Sequence, residues 1–208
     1  LPAGALQLIC GSVGDLFDHL GCQDVVSFTG SAATAAKLRT HPAVVRHSVR
    51  FVAETDSLNS SILGPDAGPG TPEFDLFIQE VAREMTVKAG QKCTAIRKAL
   101  VPQAMIADVV GALQARLAKT VVGDPRVEGV RMGPLASLAQ RDEVRQRVAE
   151  LRQESELVAG DPDRFEVSGG DRGRGAFLPP ILLLCRDGQK SRAVHSVEAF
   201  GPVSTIIG

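Results

Sequence analysis

The first quarter of the chain alternates short apolar runs with segments of helical periodicity. The runs LQLIC, DVVSFTG and SVRFVA predict three strands, because each is short, largely apolar and bounded by polar or turn-forming residues. The segments at 12–20 and 31–39 predict helices, the first capped by Ser12 and the second stopped near Pro42. This strand–helix–strand order predicts parallel strands joined by helical crossovers.

The clearest helix is predicted at 72–89. Thr71 can cap it, Pro72 suits its first position, and Gly90 can end it. Its apolar positions share one helical face. They are Phe74, Phe77, Ile78, Val81 and Met85.

The remaining pattern continues the alternation of strands and helices. Strands are predicted for SSILG, 97–101, FLPPILLL and PVSTII, helices for 103–119 and 137–153, and a loop for 160–176. The helix at 137–153 is charged, and four apolar positions are expected to face inward. They are Leu138, Val144, Val148 and Leu151. The whole pattern predicts an α/β fold with a mostly parallel sheet.

Composition and charge exclude several classes of function. The 208 residues are 44% hydrophobic and 23% charged, which is typical of a globular protein. The 23 basic and 24 acidic residues nearly balance, so we expect neither nucleic acid nor an anionic membrane as a partner. No apolar run approaches the roughly 20 residues of a membrane span, and the N-terminus lacks a signal-peptide pattern.

The four cysteines do not form a metal-binding or disulfide pattern. No CxxC pair is present and no histidine stands at ligand spacing, so we expect no metal and a reducing, cytoplasmic compartment. Cys10 and Cys185 end apolar runs and are expected to be small core residues, and Cys22 is expected to be structural.

Both ends of the sequence suggest a piece of a longer protein. The chain begins at Leu1 without a methionine and stops in VSTIIG, which is expected to be a strand that needs neighbours.

Cys93, in AGQKCTAIR, has polar neighbours and is either a nucleophile or a semi-exposed loop cysteine. It follows the C-terminal, negative end of a helix, which disfavours a thiolate. Activation of the Cys93 thiol would then need one of four routes: the charge of Lys92, a new helical turn that starts at the cysteine, a nearby base or a cationic ligand. A nucleophile also needs N–H donors for the oxyanion, and the backbone N–H of Cys93 is one candidate.

Three other positions are candidates for chemistry. Glu54 directly follows a strand, where a partly desolvated carboxylate could activate water, although it could also simply cap a loop. Gly30 and Ser31 form a strand-to-helix turn that could hold a phosphate, although such turns are common. Glu198 precedes a Gly-Pro turn, and its surroundings alone indicate nothing more.

Several stretches together resemble the NAD(P)-dependent aldehyde dehydrogenases. LPAG, FTGS, a strand ending in Glu, GQKC followed by AIR, GDP, MGPL and EAFGPV occur in the family's order over nearly the whole chain. FVAETDSLN and REMTVKAGQKCTAIRKALVP are similar to a ring-opening subgroup that acts in phenylacetate degradation and carries a fused hydratase domain.

The resemblance implies a reaction on an aldehyde. Cys93 matches the catalytic cysteine, which would attack the aldehyde and form a thiohemiacetal oxyanion. A hydride would then pass from the substrate carbon to the nicotinamide and leave a thioester on the cysteine. Glu54 matches the general base that activates the hydrolytic water. The product would be a carboxylic acid, and the subgroup implies a CoA-linked semialdehyde as substrate. A cysteine-dependent acyltransferase or hydrolase without nicotinamide is the alternative.

The resemblance also implies cofactor-binding residues and partners. Gly30 and Ser31 match the turn that contacts the pyrophosphate, Glu198 the carboxylate that binds the nicotinamide ribose, and Phe200 the ring beside the nicotinamide. Residues 1–53 would end a Rossmann-like cofactor domain, and 54–208 would form a catalytic domain that is incomplete at its C-terminus. NADP is favoured over NAD, and a homo-oligomer is expected.

Two departures from the family qualify these roles. The usual Leu-Gly-Gly after the base is replaced by Thr55-Asp56-Ser57, which alters the floor of the cleft. The segments with the oxyanion asparagine, the first cofactor-domain strands, the lysine that contacts the adenosine ribose and the C-terminal tail are absent. We therefore expect these residues alone to be inactive.

Overall fold

A computed structural model describes all 208 residues, which form two compact units. The first unit is Leu1–Asp56 and the second is Ser57–Gly208.

The first unit is built around two parallel strands. Strand β1 pairs with β2 in a register that runs from Val25 opposite Arg50 to Thr29 opposite Glu54. The elements in chain order are a 3₁₀ helix at Leu16–His19, β1 at Val25–Thr29, α1 at Ala32–Arg39, α2 at Pro42–Arg46 and β2 at Arg50–Glu54. The predictions of β1, α1 and β2 are confirmed.

Several expectations for the first unit are wrong. LQLIC forms no strand, and Cys10 is exposed because no other strand pairs with this segment. Cys22 is also exposed. The predicted helix at 12–20 is only the short 3₁₀ turn. Helix α1 ends at Arg39, as predicted, and a second helix that was not predicted follows it, capped by His41, which accepts from the N–H of Ala43.

The second unit contains a five-stranded sheet in the order β3-β4-β7-β6-β5. The first four strands are parallel, and β5 runs antiparallel to β6. Every residue of β6 and β7 is buried, as expected of central strands covered on both faces. The strands are β3 Ser60–Ile62, β4 Lys98–Leu100, β5 Glu156–Ala159, β6 Ile181–Cys185 and β7 Val203–Ile207.

Helices and the sheet together form the two apolar clusters of this unit. One cluster contains Val81 of α3 and Leu113 of α4, both fully buried, and the other contains Val144 and Val148 of α5. The helices are α3 Pro72–Thr86, α4 Ile106–Leu117, α5 Leu138–Leu151 and α6 Ala193–Ser196, with 3₁₀ helices at Val87–Gly90 and Gln103–Met105. None of them is both long and apolar enough to cross a membrane.

Local signals placed these helices well, with a few differences. The Thr71 hydroxyl accepts from the N–H of Phe74 at 3.2 Å, so the predicted cap of α3 is confirmed. Helix α3 ends at Thr86, earlier than predicted. Leu138 is 46% exposed rather than inward-facing, because it occupies the first turn of α5. Strand β5 and helix α6 were not predicted, whereas Cys185 is buried as expected.

Candidate functional site

In the first unit, the predicted site residues gather at the carboxyl ends of β1 and β2. The N–H of Gly30 donates to the carbonyl oxygen of Glu54 at 3.2 Å. Ser31 then caps α1, accepting from the N–H of Thr34. Ligands commonly bind at this edge of parallel sheets.

The turn after β1 fits an anionic group such as a cofactor phosphate. The backbone N–H groups of Ser31 and Ala33 have no hydrogen-bond partner and lie at the positive end of α1. The N–H of Ala32 is already used, because it donates to Asp56 Oδ1 at 2.9 Å. Glu54 is exposed, so the partly desolvated carboxylate, one of the two alternatives considered for this residue, is not observed.

In the second unit, Cys93 lies on an exposed turn after an unusual backbone segment. Lys88, Ala89 and Gly90 all have positive φ, between 51° and 67°. A Cβ at Gly90 would lie 2.1 Å from the carbonyl oxygen of Gly201, so only glycine permits this approach. The segment that leads to Cys93 is thereby packed against the segment that follows Glu198.

Residues 57–59 hold the carbonyl of Cys93 and also contact Glu198. The Cys93 oxygen accepts from Ser57 Oγ at 2.9 Å and from Asn59 Nδ2 at 2.6 Å. The N–H of Ser57 donates to Glu198 Oε2 at 3.3 Å. Ser57 therefore connects two residues that the sequence analysis proposed separately.

Two of the four proposed routes to an activated Cys93 are not realised. Lys92 Nζ lies 2.7 Å from both carboxylate oxygens of Glu84, so its charge is already paired. No helix starts at Cys93, where a single turn is closed by the N–H of Ala95 donating to the Lys92 carbonyl at 3.2 Å. The backbone N–H groups of Cys93 and Thr94 have no partner in the protein and remain available to an oxyanion.

Arg97 is a buried cation that the sequence analysis did not single out. It is 5% exposed, and its guanidinium donates to the carbonyl oxygens of Gly201 at 2.7 Å and Gly90 at 2.8 Å. Its Nε lies 3.7 Å from Glu198 Oε1, an ion pair rather than a hydrogen bond. Burial lowers the pKa of Arg97, and the charge of Glu198 acts in the opposite direction.

Phe200 presents its ring beside Arg97 and to an open groove. The Arg97 guanidinium carbon lies 5.4 Å from the ring centroid, while Phe200 is 39% exposed. Phe200, Lys88, Gln91 and Gln140 line a groove of about 540 Å³. Glu198, two positions before Phe200, is half-buried.

The residues of the two units therefore fall into separate groups. Gly30, Ser31 and Glu54 belong to the first unit, and Cys93 and Glu198, with Phe200, belong to the second. No group of three or more His, Cys, Asp or Glu side chains is placed to hold a metal ion.

Comparison with known proteins identifies the class. The sequence profile described as the aldehyde dehydrogenase family matches residues 1–208, and the chain belongs to this family.

Two individual members of the family are similar to this chain. The 3,4-dehydroadipyl-CoA semialdehyde dehydrogenase of Aromatoleum evansii is 55% identical over 208 residues, which are 100% of this chain and 40% of that protein. The 1-pyrroline-5-carboxylate dehydrogenase of Bacillus cytotoxicus is 28% identical over 98% of this chain and 38% of that protein. The chain thus spans about two fifths of the length of these relatives.

Solved structures share the fold. A betaine aldehyde dehydrogenase double mutant of Staphylococcus aureus, in complex with NAD⁺ and with a BME-modified cysteine, matches with a TM-score of 0.73 and 26% identity. The match covers 89% of this chain and 35% of that chain. The predicted α/β fold, with mostly parallel strands and the architecture of part of an aldehyde dehydrogenase, is confirmed.

Proposed function

We propose that the protein oxidises an aldehyde to a carboxylic acid with NAD(P), with Cys93 as nucleophile and Glu54 as general base. One observation carries the proposal for a chain of this family. Ser57 links the exposed Cys93 turn to Glu198, because its hydroxyl donates to the Cys93 carbonyl and its N–H donates to the Glu198 carboxylate. A BME-modified cysteine in the Staphylococcus aureus relative supports a reactive thiol at such a site.

The first step forms a covalent bond at Cys93. The thiolate sulfur attacks the carbonyl carbon, and the carbonyl electron pair moves to the oxygen. The free N–H groups of Cys93 and Thr94 are positioned on the same turn to donate to that oxyanion. When bound, a nicotinamide would supply the oxidation by taking the hydride that leaves the thiohemiacetal carbon as the oxyanion re-forms a carbonyl.

The second step releases the acid. Cys93 holds the acyl group as a thioester, and Glu54 takes a proton from the attacking water. The water oxygen bonds to the acyl carbon, and Cys93 leaves as a thiolate. Exposure of Glu54 suits access of water.

The proposed cofactor-binding residues are divided between the two units. Ser31, after Gly30, offers a backbone donor to the pyrophosphate, Glu198 would accept from ribose hydroxyls, and Phe200 would pack against the nicotinamide. We propose NADP rather than NAD because of the similarity to the ring-opening subgroup. NAD⁺ in the Staphylococcus aureus structures supports a nicotinamide cofactor without deciding between the two.

The substrate and the assembly are also proposals. The 55% identical relative is named for a CoA-linked semialdehyde, and we propose a substrate of that class. Membership of the family supports a homo-oligomer, and the 40% coverage of that relative is compatible with a fused hydratase domain. Four unpaired cysteines support a reducing, cytoplasmic compartment.

Two substitutions in the complete protein test the mechanism. Cys93→Ala should reduce hydride transfer by roughly 10³-fold or more. Cys22→Ala is the matched control, because Cys22 is also an exposed free thiol, and it should leave the rate unchanged. Unchanged activity in Cys93→Ala would end the proposal.

Glu54→Gln separates the two steps. The first burst of reduced cofactor should persist while steady-state turnover is lost, because the thioester forms but water is no longer activated. Loss of the burst itself would contradict the role of Glu54 in hydrolysis. Thioester cleavage by a protein that binds no NAD(P) would favour a cysteine-dependent hydrolase instead.

The isolated 208 residues provide a further test. We propose that they are inactive, because they span 40% of the semialdehyde dehydrogenase. Dehydrogenase activity from them alone would refute this.

A further inference from the structure

One guanidinium contacts both segments that carry the proposed chemistry of the second unit. Arg97 Nη1 donates to the carbonyl of Gly201, and Nη2 donates to the carbonyl of Gly90 and, at 3.5 Å, to that of Lys92. The Lys92 peptide immediately precedes Cys93. Gly201 lies on the segment of Glu198, so a single side chain links the two segments.

The geometry of the link requires arginine. A guanidinium carries five N–H donors in a rigid plane, so it can donate in two directions at once, whereas an ammonium is a compact point charge on a flexible stem. Here Nη1 and Nη2 point to carbonyls 111 positions apart in sequence, at Gly201 and Gly90. A lysine carries its three donors on a single nitrogen and cannot reproduce the two separate Nη positions from which Arg97 reaches these carbonyls.

The charge of Arg97 is used as well. Its Nε faces Glu198 Oε1 at 3.7 Å, and the guanidinium stacks near Phe200. A charge that is 5% exposed is costly unless it is paired, and the neighbouring Glu198 favours the ionised form of Arg97. The carboxylate that would bind the ribose is thus held in place by the same side chain that holds the Cys93 turn.

We propose that Arg97 is a positioning residue that fixes the Cys93 turn relative to Glu198. It acts through backbone carbonyls and through Glu198, and it does not touch the reacting atoms. The inference rests on the proposed function only for its consequence in catalysis, because the contacts themselves belong to the protein alone.

The test uses Arg97→Lys in the complete protein, with Arg116→Lys as matched control. Arg116 is an exposed arginine of α4 without an ion pair. Amide hydrogen exchange should accelerate at least tenfold in peptides covering 88–97 and 197–203 together, and stay unchanged in α4. Loss of protection throughout the second unit, or in one of the two segments only, would overturn the inference.

Cofactor affinity supplies a second measurement. Arg97→Lys should raise the Kd for NAD(P)H at least tenfold in wild-type background, but by less than twofold when Glu198→Gln is already present, because the effect passes through that carboxylate. An equal rise in Kd in the wild-type and Glu198→Gln backgrounds would overturn the inference. If Arg97→Lys does not fold, Arg97→Gln, whose amide retains two N–H donors, carries both measurements.

The two proposals fail in distinguishable ways. If the wild-type protein binds no NAD(P)H, the proposed function fails. The hydrogen-exchange measurement still tests the positioning role of Arg97 in that case. If the wild type binds NAD(P)H and Arg97→Lys matches it in both measurements, only the positioning role fails.

Discussion

Substituting Gly90 by alanine tests how closely the Cys93 turn must approach its neighbour. Gly90 has φ +67°, and an added Cβ would lie 2.1 Å from the oxygen of Gly201 and 2.9 Å from Cα of Pro202. Gly129→Ala is the matched control. Gly129 has φ +85°, but its Cβ would meet nothing within 4 Å.

The magnitudes follow from these two geometries. Alanine in a left-handed conformation costs about 1–2 kcal/mol, and Gly129→Ala should cost no more than this. At Gly90 the segments must also separate by about 0.9 Å to reach 3.0 Å, the shortest contact that real Cβ atoms make. Such overpacking adds about 1–3 kcal/mol, so Gly90→Ala should lower the free energy of unfolding by roughly 2–5 kcal/mol.

The displacement should also affect catalysis. Arg97 bridges this junction with hydrogen bonds of 2.8 Å to Gly90 and 2.7 Å to Gly201, and a further 0.9 Å would take one of them beyond bonding range. A misplacement of about 1 Å can cost on the order of 10²-fold in rate. We therefore expect kcat/KM of the complete protein to fall by about 10²-fold in Gly90→Ala and to stay unchanged in Gly129→Ala.

Denaturant unfolding and hydride-transfer kinetics measure the two effects. Equal losses of stability in the two variants would mean that backbone conformation, and not the contact with Gly201, explains the glycine. An unchanged kcat/KM in a correctly folded Gly90→Ala protein would refute the coupling of this junction to Cys93.

Two further substitutions and one pH titration probe separate features. Ser57→Ala removes a donor to the nucleophile's carbonyl but keeps its N–H, so kcat/KM should fall about fivefold, equivalent to about 1 kcal/mol, with unchanged cofactor affinity in a fluorescence titration. Leu113→Ala should cost roughly 3 kcal/mol in urea unfolding because this side chain is 0% exposed, whereas Leu76→Ala, at 58% exposed, should cost little. Hydrogen bonding from Arg126 lowers the pKa of Asp124 from 3.8 to about 2, so this carboxylate stabilises the fold above pH 3.8. The benefit is lost as pH falls through about 2, and an NMR titration midpoint near 3.8 would contradict it.

Elements whose determinants are local could be predicted from the sequence. Helix α3 has its cap at Thr71, proline at its first position and one apolar stripe, all within a single segment. The end of this helix was less accurate, because Lys88 and Ala89 adopt positive φ that their side chains do not favour. That conformation depends on the approach of Gly90 to Gly201, which is distant in sequence.

Strands were harder because a strand exists only when another strand accepts its hydrogen bonds. LQLIC has the apolar composition of a strand but no partner, and it is exposed. Strand β5, in contrast, has an unremarkable sequence and forms because Glu156–Ala159 lies beside β6 at the sheet edge. Composition alone could not separate these two cases.

The residues of the candidate site also differ in whether the local sequence could predict them. Cys93 and Glu198 stand in short motifs, and the order of those motifs along the chain pointed to the family. Arg97 and Ser57 act through contacts with residues 104 and 141 positions away, which no local pattern encodes. The available hint for Arg97 was a charged residue directly before a short strand.

The departure from glycine at position 57 has a specific consequence for the turn of Cys93, the proposed nucleophile. Ser57 Oγ and Asn59 Nδ2 both donate to the Cys93 carbonyl, and the preceding Lys92 carbonyl accepts from the N–H of Ala95. In a trans peptide the N–H points opposite to the C=O, so fixing both carbonyls also fixes the N–H groups of Cys93 and Thr94. Those two N–H groups have no partner in the protein, and donors that are already oriented need no rearrangement when an oxyanion forms. Glycine at position 57 would keep the backbone contact with Glu198 but lose one of the two side-chain donors that orient this turn.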